Sequence, residues 1–487
     1  MRFFGIPTKN FVVNFSMPKS NIGLIGLSVM GSNLARNIAN NGFSISVYNR
    51  TRARTEEFDK EHGNAQITPA YSVKDFIKSL ELPKKIIIMV KAGKPVDDVI
   101  GEMLPYLEKG DIVIDAGNSF YKDTERRYAE LKTKKIQFVG MGVSGGEEGA
   151  LKGPSIMPGG DHKAWISIAP ILKAISAKDF SGKSCVTHIG SGASGHYVKM
   201  VHNGIEYAVM ELMAESYALL RNVYHLSAPQ IADIFEKYHK GKLNSYLFEI
   251  SLSVLRKKDD LTGKGYLLDH ILDRAGSKGT GQWTSVDALE RGVSISSITE
   301  AVFARYESAD KKEREELAKL YPQKKFNKKI PLKFFIPLLE NALYVAIISA
   351  YAQGYNLIQK TAVGEKWNVN IAEVTRIWQG GCIIRAKLLD VLHKAYSQNK
   401  LKNNTLLTVP DIVKIMKKNI GDLQKFVQIT GGSGVSIPGF TTALFYFQSM
   451  TSKQTPANFI QGLRDYFGAH TYERTDRAGV FHTSWFG

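Results

Sequence analysis

The chain has 487 residues and a mass of 54.1 kDa, room for roughly two to four domains of ordinary size. Apolar residues at 44% and charged residues at 23% exclude a wholly disordered chain, and two cysteines, Cys185 and Cys382, exclude a disulfide-stapled scaffold. Lys and Arg number 64 against 46 Asp and Glu, and the resulting charge of +18 favours anionic partners: phosphorylated metabolites, nucleic acid or anionic lipid.

Residues 1–19 carry basic residues, no acidic one and a short apolar patch at 11–15, too short for the core of a secretory signal. They read as an N-terminal extension, with Met17 an equally good start. From Asn21 the pattern is strand, glycine turn, helix, strand: NIGLIG, LSVMGSNLARNIANNG, FSISVYNR. Further apolar runs, KKIIIMV (84–90), GDIVIDAG (110–117) and QFVGMGV (137–143), each follow a helical stretch. Short β-rich runs alternating with helices predict a parallel sheet covered on both faces, an α/β Rossmann-type domain over residues 20–193. After Ser194 the β-runs nearly vanish and helical periodicity predicts a large all-α domain to residue 450. Within it, 342–352 (ALYVAIISAYA) is shorter than the roughly 20 residues that span a bilayer and reads as a buried helix. The lysine-rich segment 311–333 reads as a solvated loop and helix surface. Residues 451–487, rich in aromatics, Gly and Thr, read as an irregular C-terminal tail. Two cysteines outside any ligand spacing point to a reducing, cytoplasmic setting, and no metal-ligand spacing appears.

Gly26-Leu27-Ser28-Val29-Met30-Gly31 lies between the first strand and the first helix, where a dinucleotide fold cradles a pyrophosphate on free helix N–H groups. Ser28 replaces the middle glycine of the fingerprint, so the motif alone also fits a plain strand-to-helix turn. The second strand ends at Asn49-Arg50-Thr51, about 20 residues on, where the adenosine ribose is read. With no carboxylate there to bind a 2′-hydroxyl, and with donors suited to a 2′-phosphate, the cofactor expected is NADP.

Lys199, His202, Asn203 and Glu206 fall at i, i+3, i+4 and i+7, one face of a helix. A base and an acid about two turns apart can flank a small substrate; the same spacing also fits an exposed polar stripe. Ser144-Gly145-Gly146 follows a strand at the sheet's carboxyl end, with backbone N–H groups able to hold a carboxylate, whereas Glu147 and Glu148 beside it are as well explained by solvation. Gly276-Ser277-Lys278-Gly279-Thr280-Gly281 has the look of an anion loop without P-loop spacing.

Taken together, GLSVMG (26–31), MVKAG (89–93), DAGNSFYKDTERR (115–127), GVSGGEEGALKGPSIMPGG (142–160), HYVKMVHNGIEY (196–207), GSKGTGQWT (276–284), EAVFAR (300–305), IWQGGCIIRA (377–386) and RDYFGAHTYE (464–473) resemble the 6-phosphogluconate dehydrogenases, the decarboxylating oxidoreductases of the pentose phosphate pathway and gluconate utilisation. The resemblance implies NADP contacts at Gly26, Leu27, Ser28, Val29, Met30, Gly31, Asn49, Arg50, Thr51, Lys91, Ala92, Gly93 and Asn118. It implies a 6-phosphogluconate site from Asn118, Ser144, Gly145, Gly146, His202, Asn203, Tyr207, Lys278, Thr280 and Arg305, completed by Arg464 and His470 from the tail of the other subunit in a homodimer. Lys199 is then the general base and Glu206 the general acid. Ser28, Leu151-Lys152, Gln282 and Gln379 depart from the usual residues beside these motifs.

Two rivals remain at the level of sequence. A non-decarboxylating β-hydroxyacid dehydrogenase shares the glycine turn and a helical lysine, but needs neither the 276–281 loop nor a tail like 464–473. A nucleic-acid-binding protein would explain the charge, but the basic residues are dispersed and no binding module is evident, so neither nucleic acid nor membrane is expected as a partner.

Overall fold

The computed structural model describes residues 19–322, 330–398 and 405–486. The extension expected over residues 1–19 lies outside them except for Lys19, as does 323–329 of the lysine-rich segment. The described part of that segment includes the helix Lys311–Leu320, which has no buried residue.

The strands β1 (Ile22–Ile25), β2 (Ile45–Tyr48), β3 (Ile67–Ala70), β4 (Lys85–Ile88), β5 (Ile112–Asp115), β6 (Gln137–Ser144) and β7 (Ser155–Gly160) form one sheet in the order β3-β2-β1-β4-β5-β6-β7. Every residue of β1, β2, β4 and β5 is buried, because helices cover both faces and aliphatic side chains must fill both. β1 to β6 run parallel, so the loops leaving their carboxyl ends gather on one side, with a crevice where the order reverses between β1 and β4. The expectation of a parallel sheet needs one correction: β7 is antiparallel to β6, pairing Val143 with Ile156 and Ser144 with Ser155. β3 and β7 escape a reading by pattern because they contain Pro69 and Pro158, residues that ordinarily mark turns. An edge position such as that of β3 and β7 tolerates them.

The chain then enters the helix Ser194–Asn222, here termed the central helix, which packs on β6 and β7 and carries the helical region. Alongside it runs Leu332–Gly364, a helix long and apolar enough by length and composition to cross a membrane, with 72% of its most apolar stretch buried inside the protein. The 342–352 run is therefore core, as its sequence suggests. Thr280–Glu290 (the Thr280 helix) and Ser296–Ala309 also pack on the central helix.

The tail is more regular than its composition predicts. It contains the helix Ala457–Gly468 and an antiparallel pair, β8 (Tyr472–Glu473) and β9 (Val480–Phe481). The buried Asp465 carboxylate organises it, accepting hydrogen bonds from Thr471 N (2.9 Å), Thr483 N (3.0 Å), His482 Nδ1 (2.9 Å) and Trp485 Nε1 (2.9 Å). Burial pulls its pKa up, yet these donors outweigh burial and hold it at about 2.

Candidate active site

At the cofactor end, Gly26 leaves β1 with φ +104, and a Cβ there would lie 2.4 Å from Met89 O, so only glycine can make this turn. Ser28 occupies the N-cap of the helix Val29–Asn40, whose first N–H groups face the crevice mouth. Asn49 ties the two halves together: its Oδ1 accepts from Leu27 N (3.1 Å) and its Nδ2 donates to Thr51 O (3.2 Å). It shapes the turn, whereas the exposed Arg50 and Thr51, at the start of the helix Arg52–His62, are free to meet a phosphate. A cleft of about 360 Å³ brings Gly26, Asn49, Arg50, Thr51 and Lys91 together, with Glu102 the single carboxylate in its lining among the described residues.

The loop after β4 carries Lys91, Ala92 and Gly93. It is held from behind by Arg127, which is 1% exposed and donates to Gly93 O (3.0 Å), Asp97 Oδ1 (2.7 Å) and Asp115 Oδ2 (3.3 Å). The Arg127 bond holds the Asp97 carboxyl below the usual carboxylate range. Asp115 also accepts from Ser119 Oγ (2.6 Å) and Gly117 N (3.1 Å), fixing the loop that presents the exposed Asn118. One buried ion pair thus braces the neighbouring loops after β4 and β5.

At the substrate end the central helix places Lys199, His202, Asn203 and Glu206 together against the carboxyl end of β6. The stripe is not an exposed one: Lys199 is 6% exposed and His202 is fully buried, while Asn203 and Glu206 are part-buried. Close approach is possible because position 142 has no side chain; a Cβ on Gly142 would lie 2.4 Å from Lys199 Cβ. Lys199 Nζ donates to Asn203 Oδ1 (2.7 Å), and Asn203 Nδ2 donates to Thr280 Oγ1 (3.3 Å). Burial drives His202 well below its ordinary pKa, so the ring is neutral. A proton on Nδ1 then serves Asn203 Oδ1 (3.1 Å), and Nε2 accepts from Ser144 Oγ (3.3 Å). Burial also lowers the Lys199 pKa, opposed by the Glu206 charge, and raises that of Glu206, opposed by Lys199 and Arg305. An amine pushed toward neutrality beside a carboxyl pushed toward protonation is a base and acid pair set by environment.

Beyond Glu206, Arg305 lies 3.4 Å over the Tyr207 ring and donates to Gly276 O (3.3 Å), which draws the loop 276–279 toward the same end. Lys278 is exposed in that loop and Thr280 opens the helix behind it. Arg464 and His470 are not brought to this cluster within the chain. Arg464 bonds Gln461 Oε1 (3.1 Å), His470 lies edge-on to Phe467, and both are exposed.

The family profile described as "6-phosphogluconate dehydrogenase, C-terminal domain" matches residues 195–485, and "NAD binding domain of 6-phosphogluconate dehydrogenase" matches residues 21–190. The chain belongs to the 6-phosphogluconate dehydrogenase family. It is 48% identical to "6-phosphogluconate dehydrogenase, NADP(+)-dependent, decarboxylating" of Bacillus subtilis, over 96% of this chain and 100% of that protein. Identity to the Escherichia coli "6-phosphogluconate dehydrogenase, decarboxylating" is 47% over the same shares. The structure of the Plasmodium falciparum 6-phosphogluconate dehydrogenase, described apo and in complex with NADP+ and with 6-phosphogluconate, superposes with a TM-score of 0.92 at 44% identity, covering 96% of this chain and 100% of that one.

Within this 6-phosphogluconate dehydrogenase fold the departures sit beside the site. Ser28 is an exposed cap, Gln282 is exposed on the Thr280 helix, Lys152 pairs with Glu148 (2.8 Å), and Gln379 donates to Leu389 O (3.4 Å) in the interior. Leu151 lies on the short helix Gly146–Lys152, whose N-cap Gly145 follows Ser144. Reading by motif missed the bracing role of Arg127 and Asp115, although both lie in the 115–127 window; a basic and an acidic residue twelve positions apart give no sign of pairing until the strand and helix are assembled. It also missed Ile383, whose N–H reaches Ser144 Oγ (3.4 Å) from far along the chain.

Proposed function

We propose that the protein oxidises and decarboxylates 6-phosphogluconate with NADP, giving ribulose 5-phosphate, carbon dioxide and NADPH in the oxidative pentose phosphate pathway. The observation that carries this is the buried Lys199 and the part-buried Glu206 on one helix face, their proton affinities displaced in opposite directions, with the Arg305 charge acting on Glu206. The curated relatives bear the names of this activity. NADP suits the cleft by its residues: Arg50 and Thr51 offer donors to a 2′-phosphate, the turn at 26–31 offers helix N–H groups to the pyrophosphate, and Lys91 shares the same lining, with Ala92, Gly93 and Asn118 the further contacts of this reading.

Held by these residues, NADP would supply the hydride acceptor for C3 of the substrate. Neutral Lys199 takes the proton of the C3 hydroxyl as the carbonyl forms. The β-keto acid so produced holds its own electron sink, so the carboxylate departs as carbon dioxide and leaves an enediolate, whose charge the protonated Lys199 offsets. The protonated Glu206 delivers a proton to the carbon that becomes C1 of the ketose. Ser144, Gly145, Gly146, His202 and Asn203 hold the carboxylate and hydroxyls, and Tyr207, Lys278, Thr280 and Arg305 hold the phosphate end.

The assembly we propose is a homodimer in which the tail crosses to complete the neighbouring site with Arg464 and His470. Among the described residues, the hydrogen bonds of 457–486 stay within the tail, and Phe459, Ile460, Leu463 and Phe467 on its helix are exposed, an apolar face in want of a partner. We assign residues 20–193 to the cofactor, 194–450 to substrate and dimerisation, and 451–487 to this exchange. Buried free thiols at Cys185 and Cys382 accord with the reducing cytoplasm. The test is spectrophotometric: NADPH formation from 6-phosphogluconate with release of carbon dioxide, faster with NADP than with NAD. Oxidation without carbon dioxide would transfer the chain to the non-decarboxylating class.

A further inference from the structure

Asp287 lies on the Thr280 helix, 2% exposed and outside the substrate site. Its Oδ1 accepts from Tyr121 Oη (2.6 Å), its Oδ2 from Tyr197 Oη (2.5 Å), and Arg291 Nε lies 3.0 and 2.9 Å from the two oxygens. The two phenol rings meet edge to face, their centroids 5.0 Å apart. Arg291 also reaches Tyr121 Oη (3.3 Å) and Glu365 (2.7 Å), while Tyr197 Oη meets Thr361 Oγ1 (2.6 Å).

The three elements joined here each carry part of the reaction. Tyr121 opens the helix Tyr121–Thr133, directly after the loop that presents Asn118 in the nucleotide-binding domain. Tyr197 precedes Lys199 on the central helix. The Asp287 helix begins at Thr280, whose hydroxyl accepts from Asn203. Hydride transfer requires the nicotinamide, held by the first domain, and C3, held beside Lys199 by the second, to meet within about 3–3.5 Å. A buried carboxylate satisfied by one arrangement of two phenols and a guanidinium is a directional joint, because sliding either domain breaks a charge-assisted bond where no water replaces it.

We propose that Asp287 is a positioning residue for hydride transfer, acting through Tyr121 and Tyr197 to hold the nucleotide-binding domain in register with the Lys199 face. The inference rests on the proposed reaction and names a residue on which that mechanism does not otherwise depend.

Tyr121→Phe is the first test, since it deletes one hydroxyl, keeps the ring, and leaves Asp287 with Arg291 and Tyr197. We expect kcat to fall about tenfold or more, KM for NADP and for 6-phosphogluconate to stay within about twofold, and the deuterium isotope effect with 3-deuterated 6-phosphogluconate to be at least as large as in the wild type. Asp287→Asn should act in the same direction, and adding Tyr121→Phe to it should cost little more, as expected of groups in one network. A Tyr121→Phe enzyme with unchanged kcat, or one whose slower turnover comes with a vanished isotope effect, overturns the proposal even if its melting temperature drops. If the wild type makes no NADPH from 6-phosphogluconate, both the reaction and this inference fall; an active wild type with an indifferent Tyr121→Phe sinks the inference alone.

Discussion

Glu206 stands two helical turns from Lys199 on one helix face, and each carries part of the other's charge balance: burial lowers the lysine and raises the glutamate, while their mutual attraction opposes both shifts. The consequence is a bell-shaped pH dependence. As pH rises through the lysine titration, Lys199 becomes neutral and activity rises; as it rises through the glutamate titration, Glu206 loses its donor proton and activity falls. The two limbs report the coupled pair. Because the fall at high pH needs a titrating acid, Glu206→Gln should abolish the alkaline limb and leave only the rise set by Lys199, and a variant whose residual activity still falls at high pH would contradict the pairing.

The same pair divides in time. Lys199→Ala removes the group needed while hydride leaves C3, so NADPH formation should fall by at least about 100-fold, the usual scale of a lost general base. Glu206→Gln should slow turnover by a similar factor yet leave NADP binding, followed by fluorescence titration, unchanged. A Lys199→Ala enzyme with near-normal turnover would remove the lysine from the mechanism.

Arg50 is exposed at the mouth of the cofactor cleft beside Thr51. Arg50→Glu should weaken NADP by about 10-fold or more, through loss of a charge-assisted contact and new repulsion, and affect NAD far less. Equal losses with both cofactors, measured as KM, would show that Arg50 does not read the 2′-phosphate.

Arg127 is paired with the fully buried Asp115 and also holds Gly93 O. Arg127→Met strands a buried carboxylate, and urea denaturation should show a loss of about 3–5 kcal/mol. Freed from its brace, the 91–93 loop should also raise KM for NADP. A stability change under about 1 kcal/mol would mean that Ser119 and Gly117 satisfy Asp115 by themselves.

The crossed tail predicts complementation between damaged subunits. Lys199→Ala and Arg464→Ala enzymes, each nearly inactive, are dissociated, mixed and reassembled. One site of each mixed dimer then combines an intact lysine with an intact arginine, and activity returns. Mixed dimers that form but stay inactive would put each tail on its own subunit.

Much of the fold is legible in the chain because short aliphatic runs, glycine turns and helical spacing are local. β1, β2, β4, β5 and β6 and the stripe from Lys199 to Glu206 each declare themselves within a dozen residues. β3 and β7 do not, since their prolines read as turns until neighbouring strands supply the pairing. The tail also misleads: its helix and strand pair depend on Asp465 gathering donors up to twenty residues away, a convergence that composition does not express.

By itself the sequence determined the division into an α/β and a helical part, five of the strands, the glycine turn, the absence of a carboxylate at 49–51 and the placement of an amine and a carboxyl on one helix face, since each follows from residue type and spacing along a single element. Tertiary structure decided what those groups are chemically. Only the packing of the central helix on β6, with glycine at 142, takes Lys199 out of water, and only partial burial in the assembled fold displaces the Glu206 proton affinity the other way. Only the assembled domains bring Tyr121, Tyr197 and Arg291 around Asp287 and Arg127 onto Asp115. Desolvation and long-range pairing depend on what surrounds a side chain in three dimensions, and spacing along one element carries no record of it.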